Sequence, residues 1–321
     1  MVAVTGASGL LGRHIVEKLV AEGVTVLALV RNLQTVFPES VIIRQIDILD
    51  PFTIQTAMEG ATAVIHAAGF VSFNPRRRKE IMDVNVVGTR NVVDVCLHLG
   101  INNLVHISSV SALGRKPGEI TTEGHSWTGL DASDYGTSKY LAELEAYRGA
   151  EEGLTVSLIN PSIILSGSQP ERSSATLLDY VWAENRFYTD GLMNYVDARD
   201  VSDAVYELLT HPQAGERFIL SGGAIPYLEF FAQVAKQWNK RAPTIRISST
   251  LVSLLGLVEE LRSFMLRREP QVTRQSAMMT VRNYSYNTEK AQRVLGIRFR
   301  TIEESISWCC SQYAQNVSRN K

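Results

Sequence analysis

The chain of 321 residues carries 32 basic and 33 acidic side chains, a formal net charge of −1, with 45% hydrophobic and 20% charged residues. Such balance excludes the basic face of a nucleic-acid binder and the polar excess of a disordered chain, and the one compact basic run is Arg76-Arg77-Arg78-Lys79. The longest apolar run, Leu251 to Val258, is broken by Glu259-Glu260, far short of the roughly 18 residues that argue a membrane span.

Taken in order, Val2–Val4, Val24–Val30, Val41–Ile46, Ala63–His66, Leu104–Ile107 and Val156–Ile159 read as buried strands, being short, rich in Val, Ile and Leu, and bounded by turn residues. Between them Leu10–Ala21, Arg77–Leu99 and Asp134–Glu152 carry helical periodicity. Strand–helix alternation of this kind predicts an α/β fold with a doubly wound parallel sheet. After Asn160-Pro161 the alternation breaks. A short strand at Arg217–Leu220 stands among helical segments Val201–Leu209, Leu228–Trp238, Thr250–Leu266, Glu289–Leu295 and Ile302–Tyr313. The expected division is a cofactor-binding domain over 1–160 and a smaller, mostly helical substrate lobe over 161–321, some of whose segments return to the sheet.

Val2-Ala-Val-Thr-Gly6-Ala-Ser-Gly9-Leu-Leu-Gly12 puts three glycines where the first strand meets the first helix. Gly6 permits a tight turn, Gly9 lets backbone approach a pyrophosphate, and Gly12 lets the helix pack closely on the strand. The helix N-terminus then presents free N–H groups and a positive dipole end to phosphate. The second strand ends at Arg31, where an NAD site usually has Asp or Glu for the ribose 2′-hydroxyl; an arginine there suits a 2′-phosphate and favours NADP(H). Asp47, closing the third strand, either accepts from an adenine amino group or caps its own turn.

A Tyr-x-x-x-Lys pair places both side chains on one helix face, where the ammonium favours ionisation of the phenol. The chain has two such pairs. Tyr135-Gly-Thr-Ser-Lys139 lies in the cofactor half, downstream of Ser108-Ser109 at the end of a central strand, where parallel sheets bind ligands. Tyr286-Asn-Thr-Glu-Lys290 lies near the C-terminus, with Asn287 or Thr288 as the N-cap of a short helix, and reads as coincidence. The catalytic set is therefore Ser109, Tyr135 and Lys139.

Thr5-Gly-Ala-Ser-Gly-Leu-Leu-Gly12, Asp47-Ile-Leu-Asp50, His66-Ala-Ala-Gly69, Asn85-Val-Val-Gly-Thr89, Ser108-Ser109 and Tyr135-Gly-Thr-Ser-Lys139 stand in the order seen in extended short-chain dehydrogenases/reductases, which the chain resembles. Arg31, Asn160-Pro161-Ser162, Tyr195-Val-Asp-Ala-Arg-Asp-Val201, Glu269-Pro270, Thr273-Arg274 and Trp308 resemble its dihydroflavonol reductase-like and 3β-hydroxysteroid dehydrogenase-like branch. The resemblance implies hydride transfer between NADP(H) and a carbonyl or alcohol carbon. Tyr135 would pass the proton, Lys139 would tune it and hold the nicotinamide ribose, and Ser109 would bind the substrate oxygen. Gly6, Ser8, Gly9, Leu10 and Leu11 would surround the pyrophosphate. Asp47 and Ile48 would lie at the adenine end, Ala67, Ala68 and Gly69 along the cofactor, and Pro161 and Ile164 near the carboxamide. Asn85 matches a position that is often structural. Nucleotide-sugar epimerases commonly have Arg-Pro where this chain has Asn160-Pro161, and often Gly-Pro at Ser166-Gly167, which weakens that alternative.

Other features have plainer readings. The basic run is a solvated helix end, and Asp200 caps the helix that begins at Val201. Thr250–Leu266 packs its apolar stripe on the small lobe, with a substrate lid or membrane-surface contact as alternatives. Six histidines lack metal-ligand spacing, so no metal is expected. Cys96, Cys309 and Cys310 form no disulfide framework, and Met1-Val-Ala-Val lacks the basic start of a signal peptide, so the expected location is cytoplasmic. The expected partner is a small-molecule substrate, with no nucleic acid, no transmembrane segment and no peripheral membrane contact, in a monomer or homodimer. An epimerase or dehydratase with tightly bound NAD(P) is the second reading, and a non-catalytic NADP(H)-binding regulator the third.

Overall fold

The computed structural model describes residues 1–116, 118–129, 132–167, 175–265 and 283–319. Its first half runs β1 (Val2–Thr5), α1 (Leu10–Ala21), β2 (Val26–Val30), β3 (Ile42–Gln45), α2 (Pro51–Met58), β4 (Ala63–His66), α3 (Arg78–Met82), α4 (Gly88–Leu99), β5 (Asn103–Ile107), β6 (Ile120–Thr121) and α5 (Asp134–Glu151). The remainder runs β7 (Thr155–Pro161), β8 (Ile163–Leu165), α6 (Ala175–Trp182), β9 (Phe187–Tyr188), β10 (Leu192–Asp197), α7 (Ala198–Thr210), β11 (Arg217–Leu220) and β12 (Gly223–Pro226). Then come α8 (Tyr227–Gln237), β13 (Ile245–Arg246), α9 (Ser249–Met265), β14 (Ser285–Tyr286), α10 (Glu289–Leu295) and α11 (Ile302–Arg319).

Seven strands form one sheet in the order β11-β7-β5-β4-β1-β2-β3, and every neighbouring pair is parallel. From β1 the chain winds outward through β2 and β3, then crosses back to β4 and winds the other way. The reversal puts the crevice for a ligand at the carboxyl ends of β1 and β4, where Thr5 faces His66 in register.

Central strands of apolar residues require cover on both faces. On one side Leu11, Ile15 and Leu19 of α1 pack with Val201, Val205 and Leu208 of α7 and with Leu295 of α10. Ile15 and Leu19 have no exposed surface, so each contributes about 1.5–3 kcal/mol through burial. On the other side lie Ile54 and Met58 of α2, Val92 and Cys96 of α4, and Ala146 of α5. A separate core joins Leu178 and Val181 of α6, Phe230 and Val234 of α8, and Ile306 of α11 against the small sheet β12-β10-β8. Among the described residues no helix is long and apolar enough to cross a membrane.

Three details depart from the sequence reading. The single helix expected over Arg77–Leu99 is divided: a 3₁₀ turn at Pro75–Arg77, then α3, a π turn at Asp83–Val87, and α4. The basic run at its start is tied to the surface by Arg77–Glu80 at 2.8 Å and Lys79–Asp83 at 2.5 Å. The cap of α7 is Asp197, whose Oδ1 accepts from Arg199 N at 2.9 Å; Asp200 lies inside the first turn, buried, and accepts from the Arg300 backbone N at 3.0 Å and from its guanidinium. In α9, Leu251, Leu254, Leu257 and Val258 are exposed, whereas Gly256 and Ser263 are buried, so these apolar side chains are not the packed face. Leu266, Glu269-Pro270 and Thr273-Arg274 lie outside the described residues.

Candidate active site

The turn after β1 is built on close approach. Gly6 has φ +66°, and a Cβ there would lie 2.7 Å from the Ala68 backbone. A Cβ on Gly12 would lie 2.1 Å from the Gly6 carbonyl, so the helix sits as near the strand as backbone allows. On Gly9 a Cβ would meet only the Gly6 carbonyl, at 3.1 Å. Gly9 is the N-cap of α1 and supplies no side chain to its first-turn N–H groups. The open side of Gly9, those N–H groups and the helix dipole together fit a diphosphate. Ser8 and Leu10 flank this mouth half-buried, whereas Leu11 points into the core.

A buried hydrogen-bond chain fixes the neighbouring strand end. Ala68 N donates to Thr5 Oγ1 at 3.2 Å, and Thr5 Oγ1 lies 2.7 Å from His66 Nδ1. His66 Nε2 lies 3.0 Å from Thr89 Oγ1, which donates to the Asn85 carbonyl at 2.6 Å. Because the Thr89 hydrogen is committed to that carbonyl, His66 must donate through Nε2 and accept at Nδ1 from Thr5. The ring is thus a neutral imidazole, and burial followed by the Lys139 charge holds its pKa down at about 3. Asn85 continues the structure: its Oδ1 accepts from Phe70 N at 2.7 Å, and its Nδ2 donates to the Phe70 carbonyl at 3.0 Å and to Ser138 Oγ at 2.8 Å. Ser138 Oγ in turn donates to the Tyr135 carbonyl at 2.7 Å. Residues 67–70 and the start of α5 are one braced unit, which the π turn makes possible by aiming Asn85 inward.

Ser109 follows β5 in extended conformation and accepts from Ser111 N at 3.1 Å, capping a short 3₁₀ turn. Ser133 caps α5 by accepting from Gly136 N at 3.0 Å. A Cβ on Gly136 would lie 2.8 Å from the Ser111 carbonyl, so the start of α5 presses on the loop after Ser109. The structure therefore brings Ser109, Tyr135 and Lys139 together, with the Ser109 hydroxyl on the Tyr135 side of the loop that α5 presses against. Phe73 meets the Tyr135 ring edge-on at 6.0 Å. Burial raises the Tyr135 pKa, and Ser109 opposes the rise only in part. The expected ionisation of the phenol by Lys139 does not dominate, since burial is the leading influence on Tyr135; Lys139 Nζ donates to the Ile107 carbonyl at 2.7 Å. Burial pulls the ammonium down to about 8 while Glu143 opposes that fall.

The other residues of the sequence reading are spread along the same edge. Arg31 is exposed at the end of β2, and its carbonyl accepts from Gln45 Nε2 at 3.0 Å. Asp47 is exposed and caps its own turn, Oδ1 accepting from Leu49 N at 2.9 Å. Ile48 is buried against Gly88. Pro161 ends β7 beside Leu220, and Ile164 in β8 pairs with Val196. The second Tyr/Lys pair is used elsewhere: Lys290 Nζ donates to the Arg217 carbonyl at 2.8 Å and Tyr286 accepts from Arg115 at 3.4 Å.

A cleft directly after Ser109 is lined by Ser111, Leu113, Arg115, Trp127 and Ala132, all within the segment Val110–Ser133 to which the resemblance assigns substrate selection, and by Tyr284, which sequence reasoning missed. Trp127 stacks on Tyr140 at 4.7 Å, and the Arg115 guanidinium lies over the Tyr284 ring at 4.5 Å. The loop and Tyr284 are remote in sequence, so no local pattern could join them.

A parallel sheet with a glycine-lined helix start at its switch point, a serine just after β5, and a tyrosine and lysine one turn apart on α5 defines an extended short-chain dehydrogenase/reductase. The chain belongs to the NAD dependent epimerase/dehydratase family, which matches residues 2–220. Sterol demethylase protein B of Methylococcus capsulatus is 28% identical over 304 residues, covering 92% of each chain. Cinnamoyl-CoA reductase 1 of Petunia hybrida is 27% identical over 243 residues, 68% of this chain and 72% of that one. The crystal structure of gox2253 superimposes with a TM-score of 0.84 at 25% identity, covering 98% of both chains. Similarity to a 3 beta-hydroxysteroid dehydrogenase/Delta 5-->4-isomerase of vaccinia virus, 32% identical over 177 residues, agrees with the branch, although it spans only 52% of this chain and 48% of that one.

Proposed function

We propose that the protein is an NADP(H)-dependent reductase of a mostly apolar ketone or aldehyde, able to run the reverse alcohol oxidation. The observation that carries this reading is the close packing of the start of α5, which carries Tyr135, on the loop after Ser109, with burial raising the Tyr135 pKa so that the phenol keeps its proton. A protonated phenol suits reduction, in which the carbonyl oxygen must gain a proton as its carbon gains a hydride.

A dinucleotide held along Gly9, Ala67–Gly69 and Pro161 would supply the hydride or take it back. Ser109 donates a hydrogen bond to the substrate oxygen and orients the carbonyl. Tyr135 donates its proton to that oxygen as negative charge develops there. Lys139, pinned by the Ile107 carbonyl, stabilises the phenolate left behind and faces the cofactor ribose beside Gly69, whose Cβ would lie 3.9 Å from Nζ. The rest of the substrate would extend toward the cleft directly after Ser109, where Arg115, Trp127 and Tyr284 meet. Arg31 pairs with the 2′-phosphate, which distinguishes NADP(H) from NAD(H). Three buried free thiols, Cys96, Cys309 and Cys310, are in keeping with a reducing cytoplasm.

The test is NADPH consumption against a panel of apolar carbonyl compounds. Wild type is expected to turn over at least one, and Tyr135→Phe to lose about 100-fold or more in kcat. Unchanged turnover in that variant removes the mechanism. Stereochemical inversion of a nucleotide sugar without net cofactor change selects an epimerase instead, and cofactor binding without any turnover selects a regulator.

A further inference from the structure

Tyr135, Lys139 and Glu143 fall four residues apart on α5 and share one face. The third of them has no place in the chemistry above, yet its side chain is 1% exposed. A carboxylate so deeply buried is costly unless it is matched by charge and hydrogen bonds. Two residues from other elements match it. Arg217 of β11 brings Nη1 to 3.4 Å from Glu143 Oε2 and is itself anchored, Nε donating to the Tyr147 hydroxyl at 2.8 Å. Asn160 of β7 donates from Nδ2 to Glu143 Oε1 at 2.5 Å and to the Ser109 carbonyl at 2.9 Å. The same amide thus touches both the carboxylate and the backbone of the residue proposed to hold the substrate oxygen.

We propose that Glu143 is a positioning residue: its ionised carboxylate, held by Arg217 and Asn160, keeps Lys139 protonated and fixes Ser109 through Asn160. This rests on the reductase reading for its role in turnover, but not for the electrostatic coupling itself. The groups facing Lys139 are Tyr135, the neutral rings of His66 and His106, and Glu143; among them Glu143 alone supplies negative charge. Facing Glu143 are Arg217, Ser108, Asn160, Lys139 and the Tyr147 hydroxyl that bonds Arg217. Burial pulls Lys139 toward its neutral form, and Glu143 opposes that pull. Burial likewise pushes the Glu143 carboxyl up, with Arg217 the largest opposing influence. The carboxylate and the ammonium therefore hold each other charged.

The experiment is NMR titration of cofactor-free protein labelled with ¹³C at Lys Cε and Glu Cδ, with Lys139→Met and Glu143→Gln assigning the signals. In wild type the Glu143 carboxyl is expected to stay ionised from pH 7 to 9; a carboxyl still protonated at pH 7.5 overturns the proposal without any variant needing to fold. In Glu143→Gln the Lys139 titration is expected about one unit lower. The alkaline limb of kcat against pH should move down equally, and Glu143→Asp should restore both toward wild type. A folded Glu143→Gln with an unshifted Lys139 overturns the coupling. A shifted Lys139 in a protein that reduces no carbonyl compound leaves the coupling standing and removes the reductase reading alone.

Discussion

Acidification should single out His66. Its imidazole donates through Nε2 and accepts at Nδ1, with no room for a second ring proton, and its pKa is held at about 3. In the unfolded chain an ordinary histidine titrates near 6.5. Between those values the unfolded state binds the proton and the folded state does not, so this contribution to stability is complete above pH 6.5 and is lost as pH falls toward 3. At pH 4.5 the loss is about 3 kcal/mol. Two buried carboxyls act with the opposite sign. Asp200 is lifted to about 6 and Glu143 is also raised, in both cases first by burial. Each takes up its proton in the folded state before the unfolded one, so acidification relieves a cost there. The raw slope of stability against pH mixes these effects, and the informative quantity is a difference. Urea unfolding of wild type and His66→Gln, followed by circular dichroism from pH 7.5 to 4.5, should show the wild-type advantage shrinking by about 3 kcal/mol. The His66 ring signal in NMR should not titrate above pH 5. A stability gap independent of pH, or a ring titrating near 6.5, would refute the bonding order assigned to the chain from Thr5 to Asn85.

Other substitutions separate the parts of the site. Gly12→Ala pushes a Cβ to 2.1 Å from the Gly6 carbonyl and should cost about 3 kcal/mol, lowering Tm with or without cofactor. Gly9→Ala meets only a 3.1 Å contact, so its loss should appear in NADPH affinity far more than in the Tm of cofactor-free protein; equal Tm losses in the two variants would contradict the division of labour. Arg31→Asp should weaken NADPH by about 10- to 100-fold while leaving NADH nearly unchanged, read by fluorescence titration; equal losses count against phosphate recognition. Asn85→Ala strands the Phe70 amide and carbonyl and should cost about 1–3 kcal/mol in urea unfolding. An unchanged midpoint would show that the brace between residue 70 and α5 is dispensable.

Local spacing made much of the frame readable. The positions of Gly6, Gly9 and Gly12, and of Tyr135 and Lys139, encode contacts within one turn of chain, and the parallel sheet follows from alternating apolar runs. What remained hidden is non-local. Glu143 stands at a readable helical interval from Lys139, but Arg217 reaches it only because β11 pairs with β7. A π turn is invisible to a 3.6-residue period, so the inward aim of Asn85 could not be inferred. An apolar stripe shows which side chains share a face, not what that face meets, and among the described side chains of α9 the buried ones are Gly256 and Ser263. Asp197 and Asp200 both precede or open α7, and only backbone geometry shows which one caps it.

The hydrogen-bonded chain beside the cofactor crevice also has a direction that cannot be reversed. One end is the Ala68 N–H, which can only give, and the other is the Asn85 carbonyl, which can only take. A relay that delivers protons must be able to turn its hydroxyls around after each transfer, and this one is locked at both ends. It is a strut and not a conduit. In the proposed reduction, a proton given up by Tyr135 would not be replaced through this chain, and the interior between β1 and β4 would stay electrically quiet.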